Sequence, residues 1–398
     1  MTPSATPPAP TFDPANPGHW KLSVLLQGIC VPEELAREFE AATGVAVTAR
    51  LLLEFPKNLL CLAQVHVGNC AAGPGGIELA ATAEGWELRR GKESISIQIR
   101  PPLVAGLAGR AARIGDSVVV DLSREAWGAR LRAHYGFSAS HLESAPQTIE
   151  PVLDAIEEVA RKRTLGGIHV LAYDDPALPD ARSALARLAP LFEAIHRNFA
   201  TALAVETWPP EGVAVLEAAY AAGMDILCLH LGAFQARQAA QLVEGRSGLS
   251  NERYELAFAA AGEILESGAL KSAVFVGEDA APEAFQRGLR KLLKDGAVPL
   301  LWPVASALPG AWARAAAVLR EAALLFEKSG VGLSRVQESS LQLPPAELRY
   351  FHPEQKALVG GLASAAGTGL GRAAQRNLSA LRRHLRVRGS GDASGHGE

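Results

Sequence analysis

IHVLAYDDPALPDARSALARLAPLFEAIHRNFATALAV, residues 168–205, reads as one strand, one helix and a second strand. Ile168 to Ala172 is a short apolar run that stops at Tyr173-Asp174-Asp175-Pro176, a turn sequence. Leu185, Leu188, Phe192 and Ile195 then recur at the spacing of a helix with one apolar face, and Ala202 to Val205 is apolar again. A strand, an amphipathic helix and a strand in this order predict parallel strands joined by a right-handed crossover.

The alternation continues outward in both directions. Further strands are expected at Val118 to Leu122, Ile226 to Leu231, Ala273 to Val276 and Val298 to Trp302. Helical stripes fall between them at Val152, Ile156 and Val159, at Leu256, Phe258, Ala261 and Leu265, and at Phe285, Leu289 and Leu292. The fold class expected is α/β: a full or partial (β/α) TIM-type barrel of about six βα units, spanning residues 116–345. Ligand loops would then follow residues 122, 172, 205, 231, 277 and 302, at the C-terminal ends of the strands.

Residues 19–115 have another character. A helical stripe at Leu22, Leu25, Leu26 and Ile29 and a second helix opening at Pro32-Glu33-Glu34 precede β-branched segments near Val45 to Leu53, Ile77 to Ala81 and Ser94 to Ile99. These predict a small, mainly β N-terminal domain. Residues 1–18 hold six prolines and read as a disordered leader. Residues 346–398 read as an arginine-rich helix, with six arginines and no acid from Arg372 to Arg388, followed by a disordered tail.

A formal charge of −3 over 398 residues gives no global footprint for nucleic acid or membrane. No apolar run reaches the roughly 20 residues that cross a bilayer, and no signal-peptide pattern opens the chain, so a cytoplasmic protein is expected. The cysteines, Cys30, Cys61, Cys70 and Cys228, form no C-x-x-C pair, which predicts buried reduced thiols.

From about Val152 to Pro303 the chain resembles the barrel of radical S-adenosylmethionine (SAM) proteins, in particular the biotin-synthase-related branch. The pieces match in order: Ala204-Val205-Glu206 with Trp208-Pro209-Pro210, Gly223-Met224-Asp225-Ile226 with Leu229-His230-Leu231, Glu244-Gly245-Arg246 before Tyr254, Ser272 to Glu278, and Gly296-Ala297-Val298-Pro299. Val31-Pro32-Glu33-Glu34 and Ala72 to Gly76 extend the likeness toward the N-terminus.

The departures concern chemistry. The resemblance implies a [4Fe–4S] cluster on three thiolates at C-x-x-x-C-x-x-C spacing after the first strand, but residues 125–144 contain no cysteine. No [4Fe–4S] cluster is therefore expected. His134, Ser138 and His141 reproduce the spacing, and His134 and His141 are a weak metal alternative. Tyr173-Asp174-Asp175 stands where the family receives the amino group of SAM, and Gly277-Glu278-Asp279 replaces a glycine-rich turn. SAM remains as a ligand the resemblance offers. The ligand-binding candidates are Tyr173, Asp174, Glu206, His230, Arg246 and Glu278.

Three functional expectations follow. The first is a pseudoenzyme or accessory subunit that pairs with an intact enzyme or with a copy of itself. The second is a non-radical enzyme using those carboxylates, the imidazole and the guanidinium as acid, base and anion clamp. The third is a protein that binds SAM or another small molecule without reaction.

Overall fold

The computed structural model describes residues 10–43, 50–68, 76–100, 103–105, 107, 110–114, 117–123, 149–160, 165–174, 184–234, 249–276, 282–304, 310–329 and 343–354. Helix α1 (Pro17–Gln27) opens with proline at its first position and with the Asn16 side chain accepting from Gly18 N–H at 3.0 Å. It stops at Gly28, whose φ of +72° and whose approach to the Gln64 carbonyl, 2.8 Å from any added Cβ, admit no side chain. Strand β1 (Ile29–Val31) and helix α2 (Glu33–Thr43) follow directly.

Strands β2 (Arg50–Phe55), β3 (Leu59–Val67), β4 (Glu78–Thr82), β5 (Gly85–Arg90) and β6 (Glu93–Arg100) join β1 in a closed barrel of order β1-β3-β2-β6-β5-β4. Pleating divides its side chains into two sets. Leu51, Leu53, Cys61, Ala63, Leu79, Leu88 and Ile97 belong to the main core, whereas Leu52, Leu60 and Leu62 pack against Ala112, Val119 and Leu171 of the second sheet.

That second sheet contains β7 (Leu103–Ala105), β8 (Ala111–Ile114), β9 (Ser117–Asp121), β10 (Gly167–Ala172), β11 (Ala202–Thr207), β12 (Ile226–Leu229), β13 (Leu270–Val276) and β14 (Ala297–Pro303), lying side by side in chain order. From β9 to β14 every neighbouring pair is parallel, while β7, β8 and β9 are antiparallel. Helices α3 (Glu150–Ala160), α4 (Ala184–Asn198), α5 (Val213–Ala221), α6 (Asn251–Ile264), α7 (Pro282–Lys294) and α8 (Ala311–Ser329) alternate with or follow the parallel strands.

The expected TIM-type barrel is not what forms. The parallel strands lie where the alternation put them, but their sheet ends at β14 on one side and at the hairpin strand β7 on the other, and the closed barrel is the N-terminal β one. Closure of a parallel sheet requires its last strand to pair with its first, at a tilt and stagger that about eight strands satisfy. Here the free side of β9 is taken by β8, which runs the opposite way.

Consecutive order has a second effect. Right-handed crossovers that always step the same way lay their helices on one face of the sheet. Val118 and Val120, Ile168 and Val170, Leu203 and Val205, and Leu227 and Leu229 belong to the main core on that side. The alternate residues face away from the helices. No described helix is long and apolar enough to cross a membrane.

Helix α1 is buried on nearly every side, between β3, α8 and the 3-10 turn Pro345–Tyr350. Phe12, within the proline-rich segment read as leader, packs edge-on against Trp20 and Trp312. Lys21 is fully buried in this helix, and its Nζ donates to Glu347 Oε2 at 2.6 Å. Two of the described cysteines, Cys61 and Cys228, are free thiols, while Cys30 is disulfide-bonded, contrary to the expectation of reduced thiols throughout.

Lys21→Met or Glu347→Leu alone leaves one charge without its counterion and is expected to cost about 3–5 kcal/mol, whereas the double substitution should recover most of that loss. Urea midpoints of the two single variants and the double variant measure the coupling. Additive losses would mean that the ion pair does not join α1 to the C-terminal turn.

Candidate functional site

The parallel register sets polar side chains abreast on the face away from the helices. Asp121 is level with Leu171, Leu171 with Glu206, Glu206 with Cys228, and Cys228 with Lys271. Parallel partners point to the same face, so these residues form one row across β9 to β13. His169 lies one pleat below Leu171, while Tyr173 and His230 stand just beyond the ends of β10 and β12.

Glu206 is the centre of this row and is 1% exposed. A carboxylate removed from water costs several kcal/mol unless donors replace its hydration. Here they do. The Tyr173 hydroxyl donates to Oε1 at 2.7 Å, His230 Nε2 lies 2.8 Å from the same oxygen, and His169 Nε2 lies 3.2 Å from Oε2. Burial alone would push the carboxyl up, but the imidazoles of His230 and His169 outweigh it and hold the group well below the usual carboxylate range.

The imidazole of His230 is fixed from both sides. Ala273 N–H donates to Nδ1 at 3.2 Å, which leaves Nε2, 2.8 Å from Glu206 Oε1, to carry the proton. One continuous path therefore runs from β10 through Glu206 on β11 to His230 and on to the backbone of β13. Nearby, burial pushes the Cys228 thiol up to about 12, with Lys271 pulling down and Glu206 pushing up. Cys228 is a core thiol, as its apolar neighbours predicted.

The strand ends around the row are also tied internally. Asp174 forms a two-point pair with Arg187, at 2.8 and 3.1 Å, and Arg187 reaches the Leu122 carbonyl at 3.4 Å. Arg110, itself buried, donates to the Asp121 and Ser123 carbonyls, and the Ser123 hydroxyl accepts from Tyr173 N–H. Thr207 Oγ1 donates to the Ala172 carbonyl at 2.7 Å. Asp225, within the Gly-Met-Asp-Ile piece of the resemblance, accepts from Leu203 N–H at 3.0 Å and so joins the starts of β11 and β12. Gly223 just before it has φ of +108° and leaves no room for a Cβ beside His196.

Of the six expected ligand residues, Tyr173, Glu206 and His230 are brought together and Asp174 is drawn aside to Arg187. Arg246 and Glu278 lie outside the described residues, as do Asp175, His134 and His141. His169 and Lys271 join the row without having been expected. Each was visible as one polar residue inside an apolar strand, in GIHVLA and LKSAVFV. Among the described residues no three His, Cys, Asp or Glu side chains are arranged to hold a metal ion.

The groups implied by the resemblance fit poorly. An iron–sulfur cluster requires thiolates, and of the free thiols Cys61 lies in the β barrel while Cys228 is a core residue on β12. Of the two carboxylates expected to receive the SAM amino group, Asp174 is paired with Arg187, and Asp175 lies outside the described residues. A cavity of about 400 Å³ lies between α6 and α7 against Phe234, Tyr254 and Phe258, and none of Tyr173, Glu206 or His230 lines it.

Glu206→Gln removes the charge that organises three donors and is expected to cost about 3 kcal/mol; Tyr173→Phe, which removes one donor, should cost about 1.5–3 kcal/mol. A carboxyl held low in the folded protein stabilises it above the unfolded-state value and loses that contribution as pH falls through the folded value. The wild type should therefore lose stability below about pH 4, and Glu206→Gln should show a flatter acid limb. Urea midpoints across the acid range compare the two, and parallel curves would remove Glu206 from the acid response.

Compared with protein-family models and with curated protein sequences, the chain matches none of them.

Proposed function

We propose that the chain is a radical-SAM-like protein that has left cluster chemistry and acts by binding, as an accessory subunit to an intact enzyme. One observation carries the proposal. Tyr173, Glu206 and His230, the side chains the resemblance brings to the strand ends, are all buried, with Tyr173 donating to Glu206 and His230 Nε2 lying 2.8 Å from it. Asp174 and Asp225 are likewise committed to Arg187 and to the β11 backbone.

The sequence supports the same reading. Its four cysteines include no three with C-x-x-x-C-x-x-C spacing, so the donor set that holds and tunes the cluster is missing while the strand and helix pattern remains. Persistence of a packed sheet does not depend on the loop chemistry it once carried.

The test has two arms. Protein treated with iron and sulfide under anaerobic reducing conditions should stay colourless and form no deoxyadenosyl product from SAM. Native-source protein should elute from size exclusion with a second chain in fixed stoichiometry. A brown product that cleaves SAM overturns the non-catalytic reading, and a solitary chain at every concentration overturns the accessory role. Thermal melts with SAM and with its demethylated product separate static ligand binding, since a ligand of the native state alone raises the melting temperature.

A further inference from the structure

A second cavity, about 270 Å³, lies far along the chain from the Glu206 row, where residues 10–19, α8 and the C-terminal turn meet. Its walls include Asn16, His19, Ala316, Arg320, Tyr350 and His352. The backbone that shapes it is well tied down. Asn16 Nδ2 donates to the Tyr350 carbonyl at 2.8 Å, and the His19 carbonyl faces Trp312 Nε1 at 3.4 Å.

The polar side chains of this cavity nearly all have protein partners. Asn16 Oδ1 accepts from Gly18 N–H, His19 Nδ1 accepts from Asp13 N–H at 3.0 Å, and the Tyr350 hydroxyl accepts from Arg349 at 3.0 Å. His352 Nδ1 accepts from Glu354 N–H at 3.2 Å, and its Nε2 faces Glu327 Oε2 at 3.3 Å. Burial lowers the His19 imidazole from its ordinary value, so His19 favours the neutral form.

Arg320 differs. Its Nε–H is buried and has no acceptor among the described residues. A guanidinium never loses its proton under ordinary conditions, so this is a permanent cation with a desolvated donor. Such a donor costs free energy unless an acceptor arrives. Guanidinium geometry matches a carboxylate or phosphate, whose two oxygens take its parallel N–H groups. Tyr350, Phe351 and Ala316 give the cavity aromatic and apolar wall, with Thr11 also lining it.

We propose that this cavity is a binding site for a small organic anion, whose carboxylate or phosphate group pairs with Arg320 while its apolar part lies against Tyr350 and Phe351. The volume sets the size: it is just below the roughly 300 Å³ at which drug-sized pockets begin, which admits one ring with one anionic group. The site is independent of the accessory role and of the Glu206 row.

Benzoate, phenyl phosphate and the neutral benzyl alcohol are the probes, titrated in chloride buffer by calorimetry and thermal melting. Wild-type protein should bind at least one anion and melt higher with it, and should not respond to benzyl alcohol. Arg320→Met should weaken anion binding by about ten- to a hundredfold. Because Arg320 Nε–H loses no bond on substitution, ligand-free Arg320→Met should melt no lower than wild type. Ala316→Phe, which fills the cavity and keeps the arginine, should abolish binding; if that variant does not fold, Arg320→Met and benzyl alcohol decide alone. No response of the wild type to either anion, equal affinity in Arg320→Met, or an equal response to benzyl alcohol overturns the proposal. The stronger of the two anions identifies the head group.

Discussion

A carboxylate held at 1% exposure in the middle of a sheet constrains everything within reach of its oxygens. Glu206 cannot remain there charged unless hydration is replaced, and each replacement fixes another element. Tyr173 and His169 commit β10, and His230 commits β12. Because the other nitrogen of His230 accepts from Ala273 N–H, the commitment passes on to β13. Backbone pairing fixes the register of these strands, and the side-chain path fixes it again, since a shift by one residue would turn Glu206 toward the helices and strand its donors.

The open sheet then needs cover on the face that carries this row, and the N-terminal barrel supplies part of it. Leu52, Leu60 and Leu62 meet Ala112, Val119 and Leu171 across the interface, so the outward pleats of one β structure complete the exposed pleats of another. Helix α1 packs with the other pleat set of the barrel and is buried nearly all round, with the Lys21–Glu347 pair as its polar connection to the C-terminal turn. The two regions share one continuous hydrophobic core.

The sequence made the parallel strands legible because each is a short apolar run between helical stripes, and burial on both faces demands such runs. Closure was not legible. Periodicity assigns residues to strands and faces, whereas closure depends on the pairing of the outermost strands, which here went to the β7–β8 hairpin. Leu59 to Val67 escaped notice because LLCLAQVHV is apolar without clear alternation over most of its length. Tyr173, Glu206 and His230 stood out as polar residues at strand ends. Asp174 misled because its partner, Arg187, lies 13 residues away on α4, a contact that only the folded crossover creates. His169 and Lys271 carried a signal in their isolation within apolar strands, and a buried charge always implies a partner.

Charged groups that leave water in this protein meet two different fates. Lys21 has Glu347 at 2.6 Å, and Glu206 has Tyr173, His169 and His230 within 3.2 Å, so each of these charges has an opposite or donating group beside it. Arg320 lines a cavity and its buried Nε–H meets no described acceptor. Of these groups Arg320 is the one that lines a described cavity, at the junction of residues 10–19 with α8, where the sequence shows no motif at all.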